Sequence, residues 1–228
     1  MKTEHIKYLN ILWLEPLKRV DPNLYEGILK IHRAICAADN IADGVDAPSN
    51  VCFSLLDLAE GLSCLKPEYF CRVQNVLKII ANSEIHNITF DPEKEETAEG
   101  LDLILVKTRA SLLDLYFEAF CCVEPNLDTE ENRKWFSKFK EHSLIFGDCL
   151  DIINGVFEDL RMKRRNYVVL KAFGRSGYFR RENKKSELQE QALKIRNELS
   201  LEVPKDQRLM IFLSGCEDGN WVLKYNSL

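Results

Sequence analysis

Apolar residues recur at three- and four-residue intervals along most of this chain, and prolines stand where the runs begin. Leu24, Ile28, Ile31, Ile35 and Ala38 keep that spacing after Asp21-Pro22, a capping carboxylate followed by a first-turn proline. β-branched alternation is scarce, so little of the chain can form a sheet. Only seven prolines and ten glycines interrupt 228 residues. Hydrophobic residues make up 46% and charged residues 29%, enough for a full core and incompatible with disorder as the main state. The expectation is one all-α domain, a helical bundle over residues 1–228.

The spacing predicts helices over 22–43 and over 49–64, the second carrying Val51, Leu55, Leu58 and Leu62. Pro67 opens another through Phe70, Val73, Leu77 and Ile80, and 87–94, with Pro92, reads as a loop. Residues 95–122 read as one long amphipathic helix ending before Pro125. Acidic residues at 128–131 favour a helix start. That helix runs over 132–147, and 148–161 continues or follows it. A last long helix is expected at 178–199, and Pro204 opens a final one.

The net charge of −5 argues against nucleic acid held by bulk electrostatics. No apolar run approaches the roughly 20 residues needed to cross a bilayer. The N-terminal Met1-Lys2-Thr3-Glu4-His5 is too polar for the apolar core of a secretory signal. Eight cysteines occur without a C-x-x-C pair, mostly among apolar neighbours. They read as reduced thiols in a cytoplasm-like compartment, and zinc-ligand spacing is missing.

Two acidic clusters carry the functional information. In Asp39-Asn40-Ile41-Ala42-Asp43 the two aspartates are four residues apart, so on a helix their carboxylates share a face. Two carboxylates at a helix C-terminus oppose its dipole and repel each other. A divalent cation offsets that cost, and Mg²⁺ suits one or two carboxylates plus phosphate oxygens. A solvated helix end is the other reading. The second cluster spans 148–159, where Asp151, Asn154 and Glu158 fall at i, i+3 and i+7, one helical stripe among apolar residues. Arg161-Met162-Lys163-Arg164-Arg165 follows at once. Metal ligands beside basic groups are what a diphosphate needs; a surface helix of mixed charge is the alternative.

Together the clusters resemble a family. His32 to Asp43 resembles the first aspartate-rich motif of trans-isoprenyl diphosphate synthases, a His seven residues before D-D-x-x-D. Lys107-Thr108 resembles that family's Lys-Thr pair, and 147–158 its second motif, with Asp151 at the Gln position and Asn154, Gly155 and Glu158 at the aspartates. Tyr178 to Leu213 resembles the closing helices of geranylgeranyl-type members. The family's N-terminal basic segment, its Arg-Arg-Gly and its Gly-Gln pair have no counterpart. Those groups hold isopentenyl diphosphate, so the departures point to a single substrate. Asp151 to Glu158 is also similar to the N-D-x-x-S-x-x-x-E motif of class I terpene synthases, and to the N-x-x-x-D of squalene and phytoene synthases. Arg109 lies near where terpene synthases place a diphosphate-sensing Arg.

The resemblance implies the isoprenoid synthase fold with a shortened N-terminus and a class I terpene synthase activity on an isoprenyl diphosphate. Asp39, Asp43, Asp151, Asn154 and Glu158 would hold Mg²⁺. Lys107, Arg109, Lys163, Arg164 and Arg165 would bind the diphosphate leaving group. Aromatic residues (Phe117, Phe120, Phe136, Phe139, Phe146, Phe157) would wall the prenyl chain, or simply be core. His32 reads as a packed core histidine before it reads as a base. A homodimer is expected. The alternatives are a prenyltransferase making an isoprenyl diphosphate and a non-catalytic subunit of such a synthase.

Overall fold

The computed structural model describes residues 14–42, 46–93, 99–107, 112–179 and 185–202. Among them every regular element is helical and there is no strand, as the spacing predicts. The α-helices are α1 (Glu15–Val20), α2 (Pro22–Ala42), α3 (Val51–Ser63), α4 (Pro67–Ile88), α5 (Glu99–Lys107), α6 (Leu112–Val123), α7 (Glu130–Ile153), α8 (Glu158–Arg161), α9 (Tyr167–Phe173) and α10 (Lys185–Glu202). Short 3₁₀ turns occupy Pro48–Asn50, Pro125–Leu127 and Gly174–Phe179. The expected long helix over 95–122 is described as α5 and α6, with 108–111 outside the described residues, as is the helix expected from Pro204. The helix expected at 178–199 starts later: Tyr178 lies in a 3₁₀ turn and α10 begins at Lys185.

The chain forms two compact units interleaved in sequence. The described part of the first is 14–42, 46–78 and 112–132; the rest belongs to the second. Helix α4 contributes its first half to one and its second half to the other.

In the first unit α2 starts as its sequence demands. Asp21 Oδ1 accepts the Leu24 N–H at 3.1 Å and Pro22 takes the first turn. Leu24, Ile28 and Ile31 are buried, each contributing about 1.5–3 kcal/mol of transfer free energy. Beyond Ala34 the helix leaves the core: Ile35 is half-buried and Ala38 exposed. The expected apolar stripe of α3 is corrected, because Val51 and Leu55 are exposed at 45% and 60%. The buried residues of α3 are the small ones, Ser54 and Gly61. Ser54 Oγ donates to the Ala34 carbonyl at 2.8 Å. A Cβ on Gly61 would stand 2.8 Å from the Gly27 carbonyl oxygen. Backbone contact between α2 and α3 therefore outcompetes burial of the larger side chains. Helix α6 supplies buried Leu115, Tyr116, Phe117 and Phe120 to this core. Arg72 on α4 pairs with Glu118 at 3.1 Å and Asp128 at 2.6 Å.

In the second unit Ile145, Cys149 and Ile152 of α7 pack with Val168 and Val169 of α9 and Ala192 of α10. Helix α9 is short and its first turn is buried, so its free N–H groups need partners. Asn166 Oδ1 accepts from Val168 and Val169 at 3.1 and 3.3 Å, and Asp148 Oδ2 accepts from Tyr167 N–H at 2.7 Å.

Candidate functional site

The first acidic cluster sits at the carboxyl end of α2. Asp39 is half-buried in the last turn, a turn that carries no basic residue. After Ala42 the chain returns to the same helix end. The Asp46 N–H donates to the Asn40 carbonyl at 3.1 Å, and the Asn40 side-chain amide donates to Asp46 Oδ2 at 3.2 Å. Asp39 and Asp46 thus both lie at the negative end of the helix dipole, which disfavours a carboxylate there. Asp43 lies outside the described residues. The donors here are carboxylate and amide oxygens, the chemistry that suits Mg²⁺.

The second cluster is not a stripe. Helix α7 ends at Ile153 because Gly155 takes φ +77°. The Val156 N–H reaches back to the Asp151 carbonyl at 2.7 Å and the Gly155 N–H to Ile152 at 3.1 Å, the two bonds of a Schellman stop. Asp151 is half-buried in the last turn of α7 and Asn154 is exposed in the turn beyond. Glu158 opens α8, where an acidic residue favours the helix start, and pairs with Arg161 at 3.1 Å. The i, i+3, i+7 relation assumed an unbroken helix, and Gly155 removes it. The flanking carboxylates have structural partners: Asp148 holds the Tyr167 N–H, and Asp159 Oδ2 accepts from Asn166 Nδ2 at 3.1 Å. Asp151, Asn154 and Glu158 therefore do not fit one Mg²⁺ ion as a helical stripe. Among the described residues no group of three or more His, Cys, Asp or Glu is placed to hold a metal.

The basic run is likewise split between folding roles. Lys163, in the left-handed region at φ 53°, pairs on the surface with Glu93 at 2.7 Å. That hydrogen bond raises its pKa above the ordinary lysine value. Arg164 is buried, and its backbone N–H donates to the Asp159 carbonyl at 2.7 Å. Arg165 is 5% exposed. Its Nε lies 3.3 Å from Asp102 Oδ1, its Nη1 donates to the His86 carbonyl, and its guanidinium covers the Phe90 ring at 4.4 Å. Arg175 Nε reaches the other Asp102 oxygen at 2.7 Å. Arg165 thus belongs to a buried Arg–Asp–Arg cluster, and it also lines a pocket of about 180 Å³ with Ile79, Ser83 and Leu105. Lys107 pairs with Glu141 at 2.8 Å, and Arg109 lies outside the described residues.

Asp102 is the acidic residue whose signal is easily missed: a lone carboxylate between Leu101 and Leu103 on an apolar helix signals a buried partner. His32 lies in the core, as expected, at 2% exposure. His32 Nδ1 is hydrogen-bonded to the Tyr116 hydroxyl, and Nε2 lies 3.4 Å from Cys36 Sγ. Burial pushes the Tyr116 phenol well above the ordinary tyrosine range. The aromatic candidates divide: Phe117 and Phe120 are core in the first unit, while in the second Phe139 stacks on Trp135 at 5.2 Å and Phe157 lies under Lys185. No family model matches the chain, and no curated protein or solved structure matches it either.

Proposed function

We propose that the chain has the isoprenoid synthase type of helical fold and ionises an allylic isoprenyl diphosphate with Mg²⁺, as a class I terpene synthase. The observation that supports the reading is that Asp39, in the last turn of α2, and Asp46, bonded to Asn40, both lie at the carboxyl end of that helix, in a turn without basic residues. Asp39 and Asp43 would hold the metal, and the Asn40 side chain holds Asp46 at the same helix end as Asp39. The bound metal supplies charge to the departing diphosphate. The carboxylates orient it and keep the turn in place. Asn154 and Glu158 are not part of this site. The missing isopentenyl diphosphate groups support one substrate, so cyclisation or another carbon–carbon bond step follows ionisation. A homodimer in the cytoplasm belongs to the same reading.

The second reading is a non-catalytic partner of an active synthase. The broken second motif favours it, as does the commitment of Lys163 and Arg165 to Glu93 and Asp102. One assay separates the two, and a prenyltransferase from both. Purified protein with Mg²⁺ is given geranyl, farnesyl or geranylgeranyl diphosphate, alone and with isopentenyl diphosphate. Pyrophosphate release from a single allylic substrate, with a hydrocarbon product, is the expected result. Release only with isopentenyl diphosphate identifies a prenyltransferase. Silence of folded protein in every combination overturns the catalytic reading.

A further inference from the structure

The carboxyl half of α4, helix α5 and Arg165 surround the pocket, all within the second unit. Ile79, Ser83 and Asn87 recur every four residues on α4 and so share one face. Leu105 of α5 adds apolar surface, and His86 stands at the exposed rim. The polar lining is thus a hydroxyl, an imidazole, an amide and a guanidinium, and no carboxylate lines the pocket.

Asn87 is 7% exposed, and its two amide ends differ. Oδ1 accepts the Arg165 backbone N–H at 3.3 Å. An N–H needs an oxygen acceptor, so this bond fixes which end of the amide is which. Nδ2, the other end, makes no hydrogen bond among the described residues. It is not sealed from solvent either, because Trp135 Nε1 is the sealed side-chain atom without a partner among those residues. The open space that Asn87 lines is the pocket, so an unused donor of a buried side chain opens into it. Leaving such a donor without an acceptor is costly. The Arg165 guanidinium beside it is held by Asp102 and the His86 carbonyl, and it too can only donate.

The lining therefore asks for an acceptor, and the charge of Arg165 favours an anionic one. Water would satisfy Nδ2 but would leave the apolar side uncovered. Ile79 is 53% exposed there and Leu105 is half-buried. Inorganic phosphate has no apolar part to cover them. We propose that this pocket binds a free short-chain monocarboxylate. Its carboxylate accepts from Asn87 Nδ2 beside Arg165, and its alkyl tail lies against Ile79 and Leu105. The proposal does not depend on the synthase reading.

The test titrates the full-length protein with butyrate and follows the Asn87 side-chain amide by ¹⁵N-resolved NMR, its signal assigned by its loss in Asn87→Asp. A saturable shift with a dissociation constant of about 1 mM is expected. Acetate should bind about fivefold more weakly for want of the tail, and uncharged butyramide at least about tenfold more weakly. Ile79→Glu puts a negative charge at the pocket and should weaken butyrate at least about tenfold. Ile85→Glu is the control, since Ile85 is 58% exposed on the same helix and does not line the pocket. It should stay within about twofold of wild type. The absence of a saturable shift up to about 50 mM butyrate overturns the proposal. So does binding of butyramide or phosphate as tight as that of butyrate, or an equal effect of Ile79→Glu and Ile85→Glu. Both glutamate variants change exposed positions, so the comparison stands even if Asn87→Asp does not fold.

Discussion

Replacing Asp102 by Asn tests whether Arg165 is part of the fold or part of a binding site. Asp102 is 2% exposed and stands between two guanidiniums, 3.3 Å from Arg165 Nε and 2.7 Å from Arg175 Nε. Asn keeps the size of the side chain, so no cavity contributes. What is lost is the negative charge between two cations, of which the Arg165 side chain is 6% exposed and cannot turn to water. Removing one partner of a buried pair costs about 3–5 kcal/mol. The Arg175 side chain is 19% exposed and recovers some hydration, so the lower end, about 3 kcal/mol, is expected. For a chain of this length that lowers the melting temperature by about 6–12 °C. Urea titrations followed by circular dichroism give the free energy, and Glu93→Gln is the control. Its partner Lys163 is 48% exposed, so solvent screens the pair and its loss should leave stability nearly unchanged. If Asp102→Asn costs no more than Glu93→Gln, the buried cluster does not stabilise the fold and Arg165 is released for another role.

Three further outcomes are expected. Gly27→Ala would drive a Cβ to 2.9 Å from the Gly61 carbonyl oxygen and cost about 1–3 kcal/mol, read as a lower urea midpoint. Gly147→Ala, in α7 with nothing within 4 Å of the new Cβ, should instead stabilise by about 0.5–1 kcal/mol. Asp21 caps α2 and accepts a hydrogen bond from Lys66, which holds its carboxyl below the ordinary 3.8. A carboxyl depressed in the folded state stabilises fully above its unfolded pKa and loses that contribution as pH falls through the folded value. The stability difference between wild type and Asp21→Asn should therefore be constant near neutrality, begin to shrink as pH falls to about 3.8, and be lost only below the depressed folded value; a difference that does not change with pH contradicts the pairing with Lys66.

The helical class was legible because Pro22, Pro67 and the acidic start before α7 are local signals read within one turn. The core face of α2 was legible for the same reason. The exposure of Val51 and Leu55 was not, since it follows from a backbone contact between Gly27 and Gly61, distant in sequence. The break in the second acidic cluster was written in the chain as Asn154-Gly155, a helix-stop pair, but the spacing of the carboxylates was weighed above it. The partners of Arg165 and His32 are side chains 63 and 84 residues away, which no local pattern announces.

In the proposed function Asp39 and its neighbours carry the chemistry and the second cluster does not. The direct measurement is pyrophosphate release from the preferred allylic diphosphate with Mg²⁺, compared for wild type, Asp39→Ala and Glu158→Gln. Asp39→Ala is expected to lose at least about a hundredfold with its circular dichroism unchanged, since an interaction made to the departing group acts on kcat. Glu158→Gln should stay within about threefold, because its carboxylate serves Arg161 on the surface. Turnover that survives Asp39→Ala, or that collapses with Glu158→Gln, would contradict the account.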